Sequence, residues 1–378
     1  MASNDVDIAI VTIREDEFRA VLNRFPNGTP EVVDGRFYSV SETMDLDGRP
    51  YRVAISRCKE QGNSDSQFLT SRILRDLNPA YLLVVGIGGG VPSVEYSLGD
   101  VVVSTRVNDF RVGAVDAKGQ VTYSQRGGAV KADAAALATF LPAIEHLLGD
   151  WNSEESIKLA VPPVPLDDDT KFYGDNHWID SLKKALKRRF GSTTVNRPRF
   201  TDGPIDSSDF VIKDTETLAR WQTSSRDAKA IDMEAAGVYA AVHDASSSCP
   251  FLVIRGLSDV VGYKRDPDWT AYACETAAAF TAAFVKTGML PRHERAAPPA
   301  ASPVPDRLAL KNDLGRMIRQ LFGTLVFTLN PPAEIMPADT SPQGERAEAL
   351  LRWAESDGGP GFAAIRELYE KIVRPNPR

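Results

Sequence analysis

Cysteine and histidine are scarce in this chain, whose 378 residues include only three cysteines and four histidines. Cys58, Cys249 and Cys274 are an odd, widely spaced set without a CxxC pair, so the sequence predicts neither a disulfide framework nor a thiolate metal site. The histidines are scattered without an HxxxH spacing, and no carboxylate-rich, calcium-binding type of loop is present. We therefore expect no metal site and no cofactor.

Long apolar runs and an excess of positive charge are also missing. No window of about eighteen apolar residues exists, and the polar start at Ser3–Asp7 lacks the basic and apolar parts of a signal peptide. These absences predict a cytoplasmic protein without a membrane segment. A net charge of -7 with interspersed signs argues against nucleic-acid binding, although it leaves room for a local basic pocket that binds a phosphorylated small molecule.

The length and the distribution of proline indicate two domains. The composition, 43% apolar and 25% charged, is that of an ordinary globular protein, and the length allows one large α/β domain and a smaller one. Residues 291–305 contain five prolines interspersed with alanines, which is typical of an extended linker. We therefore predict a large domain over residues 1–290, a linker over residues 291–305 and a small helical domain over residues 306–378.

Apolar strands and amphipathic helices alternate through the large domain. This alternation predicts a layered α/β fold with a largely parallel or mixed sheet. Asp109–Gly128, rich in Gly, Asp and Arg, is interpreted as a loop or hairpin at the sheet edge. Strands are predicted at Asp7–Thr12, Val53–Ser56, Tyr81–Val85, Val101–Thr105 and Pro250–Ile254, and helices at Arg14–Phe25, Asn63–Leu77, Ala132–Leu148, Trp178–Arg189, Asp232–Ala245 and Thr270–Lys286.

Three acids lie close to the ends of predicted elements. Glu17 and Asp259 are placed just past the C-terminal ends of buried strands, and Glu234 lies in the segment that opens a helix. Ligands of open α/β sheets bind beyond the carboxyl ends of strands, so these acids can converge on one crevice. Cleavage of an N-glycosidic bond needs an acid to protonate the base, a carboxylate to activate water and an acceptor for the ribose hydroxyls, and three acids fit that chemistry.

Glycine is concentrated directly after the third predicted strand, in Val84-Val-Gly-Ile-Gly-Gly-Gly90. We interpret this run as a tight turn, because glycine adopts conformations that other residues avoid.

With these motifs in place, residues 7 to about 288 resemble the purine/uridine phosphorylase superfamily, in particular its hydrolytic branch of methylthioadenosine/adenosylhomocysteine nucleosidases. The resemblance implies a three-layer domain with a central mixed sheet, N-glycosidase activity on a purine nucleoside or nucleotide, and a homo-oligomer in which a neighbouring subunit completes the pocket. It is carried by the strand with Glu15-Asp-Glu17, by Gly86–Gly90, by Leu98-Gly-Asp-Val-Val-Val-Ser104, by Asp232-Met-Glu-Ala235 and by Arg255-Gly-Leu-Ser-Asp259.

The resemblance also implies roles for the acids and their neighbours. Glu17 matches the residue that activates the attacking water. Met233 and Glu234 match the pair that contacts the ribose, with Glu234 accepting from the hydroxyls. Asp259 matches the residue that protonates purine N7 or bonds to it, and Ser258 orients its carboxyl group. Each acid alone could equally be a helix-terminal or turn residue.

Further substrate contacts are implied around these residues. Arg255 is expected to position a carboxylate, with a structural salt bridge as the alternative. Phe210 or Val211 falls where the family packs a group against the base, although Phe210 could be a plain core residue. Gly88 and Gly89 are also expected to contact the substrate.

The glycine run departs from the family. Phosphorylases carry an arginine before it and a serine or threonine after its first glycine, whereas this chain has Val84 or Val85 and Ile87 there. Because phosphate needs charge-assisted donors, water is the better nucleophile for this chain. Two alternatives stay open: a true phosphorylase, and a module that binds nucleosides without cleaving them.

Two features bear on the substrate and on partners. Basic loop residues suggest a phosphorylated substrate such as an adenine nucleotide. In the small domain, helices are predicted at Asp306–Phe322, Gly344–Ser356 and Phe362–Val373, and the segment Leu350–Ser356 followed by Leu368 resembles effector-associated domains of bacterial conflict systems. That resemblance implies a protein partner and a role in anti-phage defence. The basic residues are Arg14, Arg57, Lys59, Arg126, Lys171, Lys264 and Arg265.

Overall fold

The computed structural model describes residues 5–118, 121–191, 196–245, 249–293, 307–356 and 359–373. The chain divides into two compact units, Met1–His293 and Glu294–Arg378. The predicted linker, residues 291–305, lies outside the described residues from position 294 onward. No helix in the described ranges is both long enough and apolar enough to span a membrane.

A mixed sheet of ten strands organises the first unit, as the sequence predicted. The strands are numbered in chain order: β1 Ile8–Thr12, β2 Thr29–Val33, β3 Arg36–Met44, β4 Pro50–Arg57, β5 Tyr81–Gly90, β6 Val101–Val115, β7 Val121–Ala129, β8 Phe200–Ser207, β9 Ala230–Asp232 and β10 Phe251–Val260.

The sheet closes partly on itself. β5 pairs with β1 and β10 in parallel and with β9 in an antiparallel arrangement, β9 pairs with β8, β8 with β6, and β6 returns to β10. β4, β3 and β2 extend the sheet beyond β1, and β7 forms a hairpin with β6. The closure brings the C-terminal ends of β1, β5 and β10 to one place, where a ligand can bind.

Helices flank this sheet, which confirms the predicted fold class. The helices are α1 Glu15–Arg24, α2 Asn63–Leu77, α3 Ala132–Phe140, α4 Glu154–Ile157, α5 Asn176–Phe190, α6 Thr215–Trp221, α7 Ala235–Asp244 and α8 Pro267–Lys286. The 20-residue α8 packs on β5 and β10, α1 packs on α8, and α2 packs on α7. A 3-10 helix at Leu141–Leu148 follows α3, and a single 3-10 turn at Asp169–Lys171 precedes α5.

Burial of the central strands explains their composition. Every residue of β1 is buried, and β5 and β10 are almost entirely so, because helices cover both sides of these parallel pairings. Their sequences are therefore near-continuous runs of Val, Ile and Leu rather than an alternation of apolar and polar residues. The same burial makes any charged group within these strands exceptional.

The second unit is helical, with α9 Arg307–Arg316, α10 Arg319–Leu329, α11 Gln343–Ala354 and α12 Gly361–Val373. Its small core includes Phe322, Leu350 and Ile365. The prediction of one helix over Asp306–Phe322 was wrong, because the chain breaks at Met317–Ile318 and starts a new helix.

Three elements of the first unit also differ from expectation. The glycine run is the end of β5 and not a turn, and Asp259 lies within β10 rather than beyond it. Asp232 ends β9, and the helix predicted from it begins three residues later at Ala235. Asp109–Gly128, by contrast, was predicted as a loop or hairpin, and its pairing in the β6–β7 hairpin confirms the second of these alternatives.

Candidate active site

A cavity of about 610 Å³ lies where β1, β5 and β10 end, within the size range of small-molecule sites. Its floor comes from the segment after β1, the glycine run of β5 and the end of β9. Its walls and mouth come from the segment that follows β8 and from the end of β10 with the residues after it. All the candidate residues except Arg255 and Ser258, which lie buried beneath it, line this cavity.

Glu17 is buried in the floor and held by three backbone N–H groups. Its Oε2 accepts from Ile13 at 2.9 Å and from Arg14 at 2.8 Å, and its Oε1 accepts from Ile87 at 2.9 Å. The geometry arises because α1 starts directly after β1 and places Glu17 in its first turn. A carboxylate has about four lone-pair sites, so Glu17 is fixed in orientation and still has capacity to accept a proton from a water.

Arg255 and Asp232 form a fully buried ion pair beneath the cavity. The Nε and Nη2 atoms of Arg255 donate to Asp232 Oδ2 at 3.0 and 2.6 Å, and Nη2 lies 3.5 Å from Glu234 Oε2. Two interpretations of Arg255 were expected from the sequence, positioning of a carboxylate and a structural salt bridge. Both hold, because the same contacts serve both roles. Sequence reasoning missed Asp232 as a site residue, although it stands two positions before Glu234.

Glu234 lies between the floor and α2, at the N-terminal end of α7. Its Oε1 accepts from the Gly62 N–H at 3.2 Å, and its Oε2 accepts from the Met233 N–H at 3.3 Å. Burial raises its pKa to about 7, with Arg255 opposing that shift and the charge of Asp232 adding to it. Its ionisation is therefore sensitive to pH close to neutrality.

Asp259 lies at an irregularity in the pairing of β10 with β5 and faces into the cavity. The buried Ser258 hydroxyl donates to its Oδ1 at 2.7 Å, and Arg265 Nε lies 3.8 Å from the same oxygen. Burial raises the pKa of Asp259, against the opposing effects of Ser258, Arg265 and Lys213. A carboxyl group with a raised pKa retains its proton to higher pH, as a general acid requires.

The glycines of β5 leave room for these groups. A Cβ at Gly86 would lie 2.5 Å from Glu17 Oε1 and 2.7 Å from Arg255 Nη1, and one at Gly89 would lie 3.4 Å from Asp259 Oδ2. Glycine is needed at position 86 for this close approach, which is why a turn was the wrong interpretation. The Ile87 N–H donates to Glu17 and Gly89 faces Asp259 two residues later, so the two acids contact different points along β5.

The remaining predicted contacts lie at the mouth or on the walls. Phe210 is 65% exposed and Val211 56% exposed, and both line the cavity in the segment after β8. Phe210 is therefore not a core residue, and its ring is available to a flat apolar base. Met233 is half-buried on the wall, and Gly88, beside Gly89, lines the floor.

The predicted basic residues do not all reach the cavity. Arg14, Lys264 and Arg265 line it, and Lys213, which the sequence analysis did not single out, joins them. Arg14 is bonded to Asp16 at 2.6 Å, and Lys171 pairs with Asp266 at 3.1 Å away from the cavity. The others lie elsewhere: Arg57 and Lys59 line an adjoining groove of about 550 Å³, and Arg126 does not line the cavity.

The side chains of this cavity offer acid–base and electrostatic chemistry. Within the described ranges, no group of three His, Cys, Asp or Glu side chains is arranged to hold a metal ion. What the cavity does offer is three acids on its lining, of which Glu234 and Asp259 have pKa values raised by burial.

Comparison with known proteins identifies relatives of the first unit. The sequence profile of the Phosphorylase superfamily matches residues 7–286. A death domain-containing ATP nucleosidase from Amphimedon queenslandica is 22% identical over 286 residues, which are 73% of this chain and 47% of the relative. The ATP nucleosidase Cap17 from Escherichia coli is 21% identical over 262 residues, 69% of this chain and 47% of the relative. This chain thus spans about half the length of these curated relatives.

Solved structures similar to this chain include two 5′-methylthioadenosine/S-adenosylhomocysteine nucleosidases. The enzyme from Neisseria meningitidis, in complex with methylthio-immucillin-A, is 22% identical with a TM-score of 0.44, covering 74% of this chain and 98% of the other. The enzyme from Colwellia psychrerythraea, in complex with adenine, is 20% identical with a TM-score of 0.49, covering 76% and 96%.

Proposed function

This chain belongs to the phosphorylase superfamily, and on that premise we propose that it is an N-glycosidase that hydrolyses the bond between the base and the ribose of a purine nucleoside or nucleotide, with adenine as the base. The observation that carries the proposal is the convergence of Glu17, Glu234 and Asp259 on one cavity. The curated relatives named ATP nucleosidases support the choice of adenine and of a nucleotide.

The proposed reaction assigns one task to each acid. Asp259 donates its proton to purine N7, and the electron pair of the C1′–N9 bond moves into the leaving base. Glu234 accepts hydrogen bonds from the ribose hydroxyls and stabilises the positive charge that develops on the sugar. Glu17 takes a proton from the attacking water, whose oxygen forms the new bond to C1′. The products are the free base and a sugar with a hydroxyl at C1′.

The buried guanidinium orients the acids of the site. Arg255 Nη2 donates to Asp232 Oδ2 at 2.6 Å and lies 3.5 Å from Glu234 Oε2. Gly86 allows Glu17 and Arg255 to approach β5 closely, since a Cβ there would lie 2.5 Å from Glu17 Oε1 and 2.7 Å from Arg255 Nη1. Arg255 thus holds the carboxylates in place, and Glu17, which lines the cavity, is the group that meets the water.

Water rather than phosphate is the proposed nucleophile. A phosphate ion needs several charge-assisted donors, whereas the Ile87 side chain, which lines this end of the cavity, can donate nothing. The guanidinium of Arg255 is already committed to Asp232 and Glu234. These features favour hydrolysis over phosphorolysis.

Several wider properties belong to the same proposal. We propose that the chain acts in the cytoplasm as a homo-oligomer, that its second unit binds a protein partner, and that it serves as an effector of anti-phage defence. The second unit is proposed as the adaptor because the candidate chemical residues all lie in the first.

The test of the proposed function is the release of free base. The full-length protein is incubated with adenosine, AMP, ATP, NAD and the corresponding guanine compounds, and the products are separated by chromatography. We expect free adenine at a rate that does not depend on inorganic phosphate. A rate proportional to phosphate would identify a phosphorylase, and binding without any base release would identify a nucleoside sensor.

A further inference from the structure

We propose that Lys213, Lys264 and Arg265, here named the cationic rim, bind the 5′ phosphates of the substrate. This makes the substrate a nucleotide rather than an uncharged nucleoside. The inference rests on the proposed function, because it assumes that the base and the ribose occupy the cavity that these side chains surround.

Among the described residues, acids lie deep in the cavity and unpaired lysines lie at its mouth. Glu17 and Glu234 are buried in the floor, whereas the three side chains of the cationic rim are exposed at the mouth. Within the described part of the chain, neither Lys213 nor Lys264 forms a salt bridge. The chain as a whole carries a net charge of -7, so this cluster of cations runs against the overall balance.

The rim lies on the side of the cavity that the phosphates would reach. Arg265 Nη2 donates to Ser258 Oγ at 3.3 Å, which places the rim beside Asp259 and therefore beside the N7 edge of the bound purine. In an anti nucleotide, this edge lies on the same side of the sugar as the 5′ carbon. Two loops, one after β8 and one after β10, thus present cations to a polyphosphate, which binds charge-assisted donors strongly.

Arg14 also lines the cavity but differs from the rim. Its guanidinium makes two hydrogen bonds to Asp16, at 2.9 and 2.6 Å. Arg265 has a looser ion pair, with its Nε 3.8 Å from Asp259 Oδ1. Because the closely paired Arg14 offers less net charge to a ligand, it is not included in the proposal.

The test compares ATP with adenosine in the full-length double variant Lys213→Ala/Lys264→Ala. Removing two contacts to charged oxygens lowers the ratio of kcat/KM for ATP to kcat/KM for adenosine by about 10- to 100-fold. Lys213 also lowers the pKa of Asp259, and because both substrates use that acid, the effect of its loss cancels in the ratio. Added salt should lower the wild-type value for ATP and leave that for adenosine unchanged, since exposed charges are screened. Lys184→Ala on α5, exposed and outside the cavity, is the matched control and leaves both values unchanged.

Two outcomes would contradict phosphate binding by the cationic rim: an equal loss of kcat/KM with ATP and adenosine, or no loss with either. A protein that releases no base from any compound would refute the proposed function instead. In that case calorimetry with ATP and adenosine still tests the role of the cationic rim, because it measures binding without turnover. We expect the double variant to lose affinity for ATP alone.

A second inference comes from a different observation, the buried hydrogen bonds of Asn63. We infer that Asn63 is a positioning residue that joins the segment carrying Phe210 to the helix that follows Glu234. It is the first residue of α2 and is fully buried.

The side chain of Asn63 bonds to three parts of the first unit. Its Nδ2 donates to Asp209 Oδ1 at 2.9 Å, directly before Phe210. Its Oδ1 accepts from the Gly237 N–H of α7 at 2.8 Å and from Ser207 Oγ at the end of β8 at 3.2 Å. One amide thus links the segment that would pack on the base to the helix that starts beside the ribose-binding acid.

The packing at this point leaves no freedom. A Cβ at Gly237 would lie 2.0 Å from the backbone oxygen of Asn63, so α2 and α7 are in direct backbone contact. Ser66 Oγ donates to the backbone oxygen of Glu234 at 2.9 Å, which fixes the same corner. A change in the Asn63 side chain should therefore reach both the base and the ribose.

The positioning role of Asn63 is tested by exchanging its side chain with that of Asp209. Asn63→Asp removes the donor to Asp209 and faces two carboxylates with each other, so kcat/KM for the substrate should fall by about 10- to 100-fold, chiefly through KM. The double variant Asn63→Asp/Asp209→Asn restores one amide donor between the same two side chains and should recover most of the loss. Rescue of this kind is not expected from a purely bulk effect on folding.

A wild-type KM in Asn63→Asp, or a loss that the second exchange does not relieve in two folded variants, overturns this inference. If Asn63→Asp does not fold, Asp209→Ala replaces it, because Asp209 is exposed and its truncation leaves no cavity in the core. That variant leaves the buried amide of Asn63 without its acceptor, so we expect a raised KM together with a lowered melting temperature. An unchanged KM in the folded variant would contradict the role of Asn63.

Discussion

The two units of this chain place their charges in opposite ways. In the first, Arg255 and Asp232 are fully buried and bonded at 2.6 Å, next to the buried Glu17 and Glu234. In the second, most ion pairs lie on the surface, as in the pair Lys371–Glu367 at 2.6 Å, which joins residues four apart on a helix.

The energetic meaning of these arrangements differs. A buried ion costs several kcal/mol in lost hydration, which only good partners can offset. A surface pair four residues apart contributes roughly 0.3–0.5 kcal/mol and is readily replaced. The comparison therefore agrees with the proposal that the chemistry of the chain is carried by the first unit.

The largest expected effect comes from removing the proposed general acid. Asp259→Asn keeps the size of the side chain but cannot give a proton to N7, so base release should fall by about 100- to 10,000-fold. Stopped assays with chromatography of the free base measure the loss, and Asp180→Asn, exposed on α5, is the control. Near-wild-type turnover in Asp259→Asn would remove it from the site.

The pH dependence of catalysis sharpens the role of Glu234. Its pKa is raised to about 7 by burial, and it must be ionised to accept from the ribose hydroxyls. As pH falls below about 7, the ionised fraction falls, so kcat/KM should drop toward tenfold per pH unit on the acid limb. Glu234→Gln should lack this limb and be slow at every pH; a limb that persists in the variant belongs to another group.

Buried charge in the first unit should also appear in its stability. Asp206 is fully buried, its Oδ2 has no hydrogen-bond partner, and burial raises its pKa to about 7. Its folded pKa lies above the unfolded value, so the native state binds the proton more tightly and stability is lost as pH rises from about 4 to 7. Asp206→Asn removes this loss.

We therefore expect Asp206→Asn to gain stability over the wild type across this window, by up to about 4 kcal/mol above pH 7. Urea unfolding at pH 5 and pH 8 measures the difference. The exposed Asp180→Asn is again the control. A stability difference that does not change with pH would contradict the buried charge at Asp206.

The smallest expected effect is that of removing the second unit. Deletion of residues 294–378 leaves every proposed catalytic residue in place, so base release per folded site should stay within about twofold, while binding to a protein partner is lost. Base release, mass in solution and partner capture are compared with the full chain. A shortened protein that folds and assembles normally but releases no base would make the second unit part of the enzyme.

The sequence predicted the alternating strands and helices of the first unit well, because their apolar runs are long and periodic. It missed the hairpin of β2 and β3, although Asp34 and Gly35, with φ of 48° and 73°, form the kind of two-residue turn that signals one. It misread the glycine run because a strand of glycines makes sense only once the side chains of Glu17 and Arg255 are seen to need that space.

For the candidate site, the order of the motifs along the chain identified the acids, but the hydrogen-bond partners of the site residues could not be predicted. The acids at positions 17, 234 and 259 were singled out from the sequence, and the structure places them on one cavity. The pairing of Arg255 with Asp232, and the contacts of Asn63, join segments far apart in the chain and leave no local pattern. Such contacts depend on how the sheet closes, which periodicity does not encode.

The most direct test of the central claim is to identify both products that the full-length protein makes from ATP. Mass spectrometry follows the base and the sugar together, with Asp259→Asn assayed in parallel. We expect free adenine and ribose 5-triphosphate from the wild type, with the yield of both reduced by about 100-fold or more in the variant. Products that still carry adenine on the sugar, or a sugar phosphorylated at C1′, would contradict it.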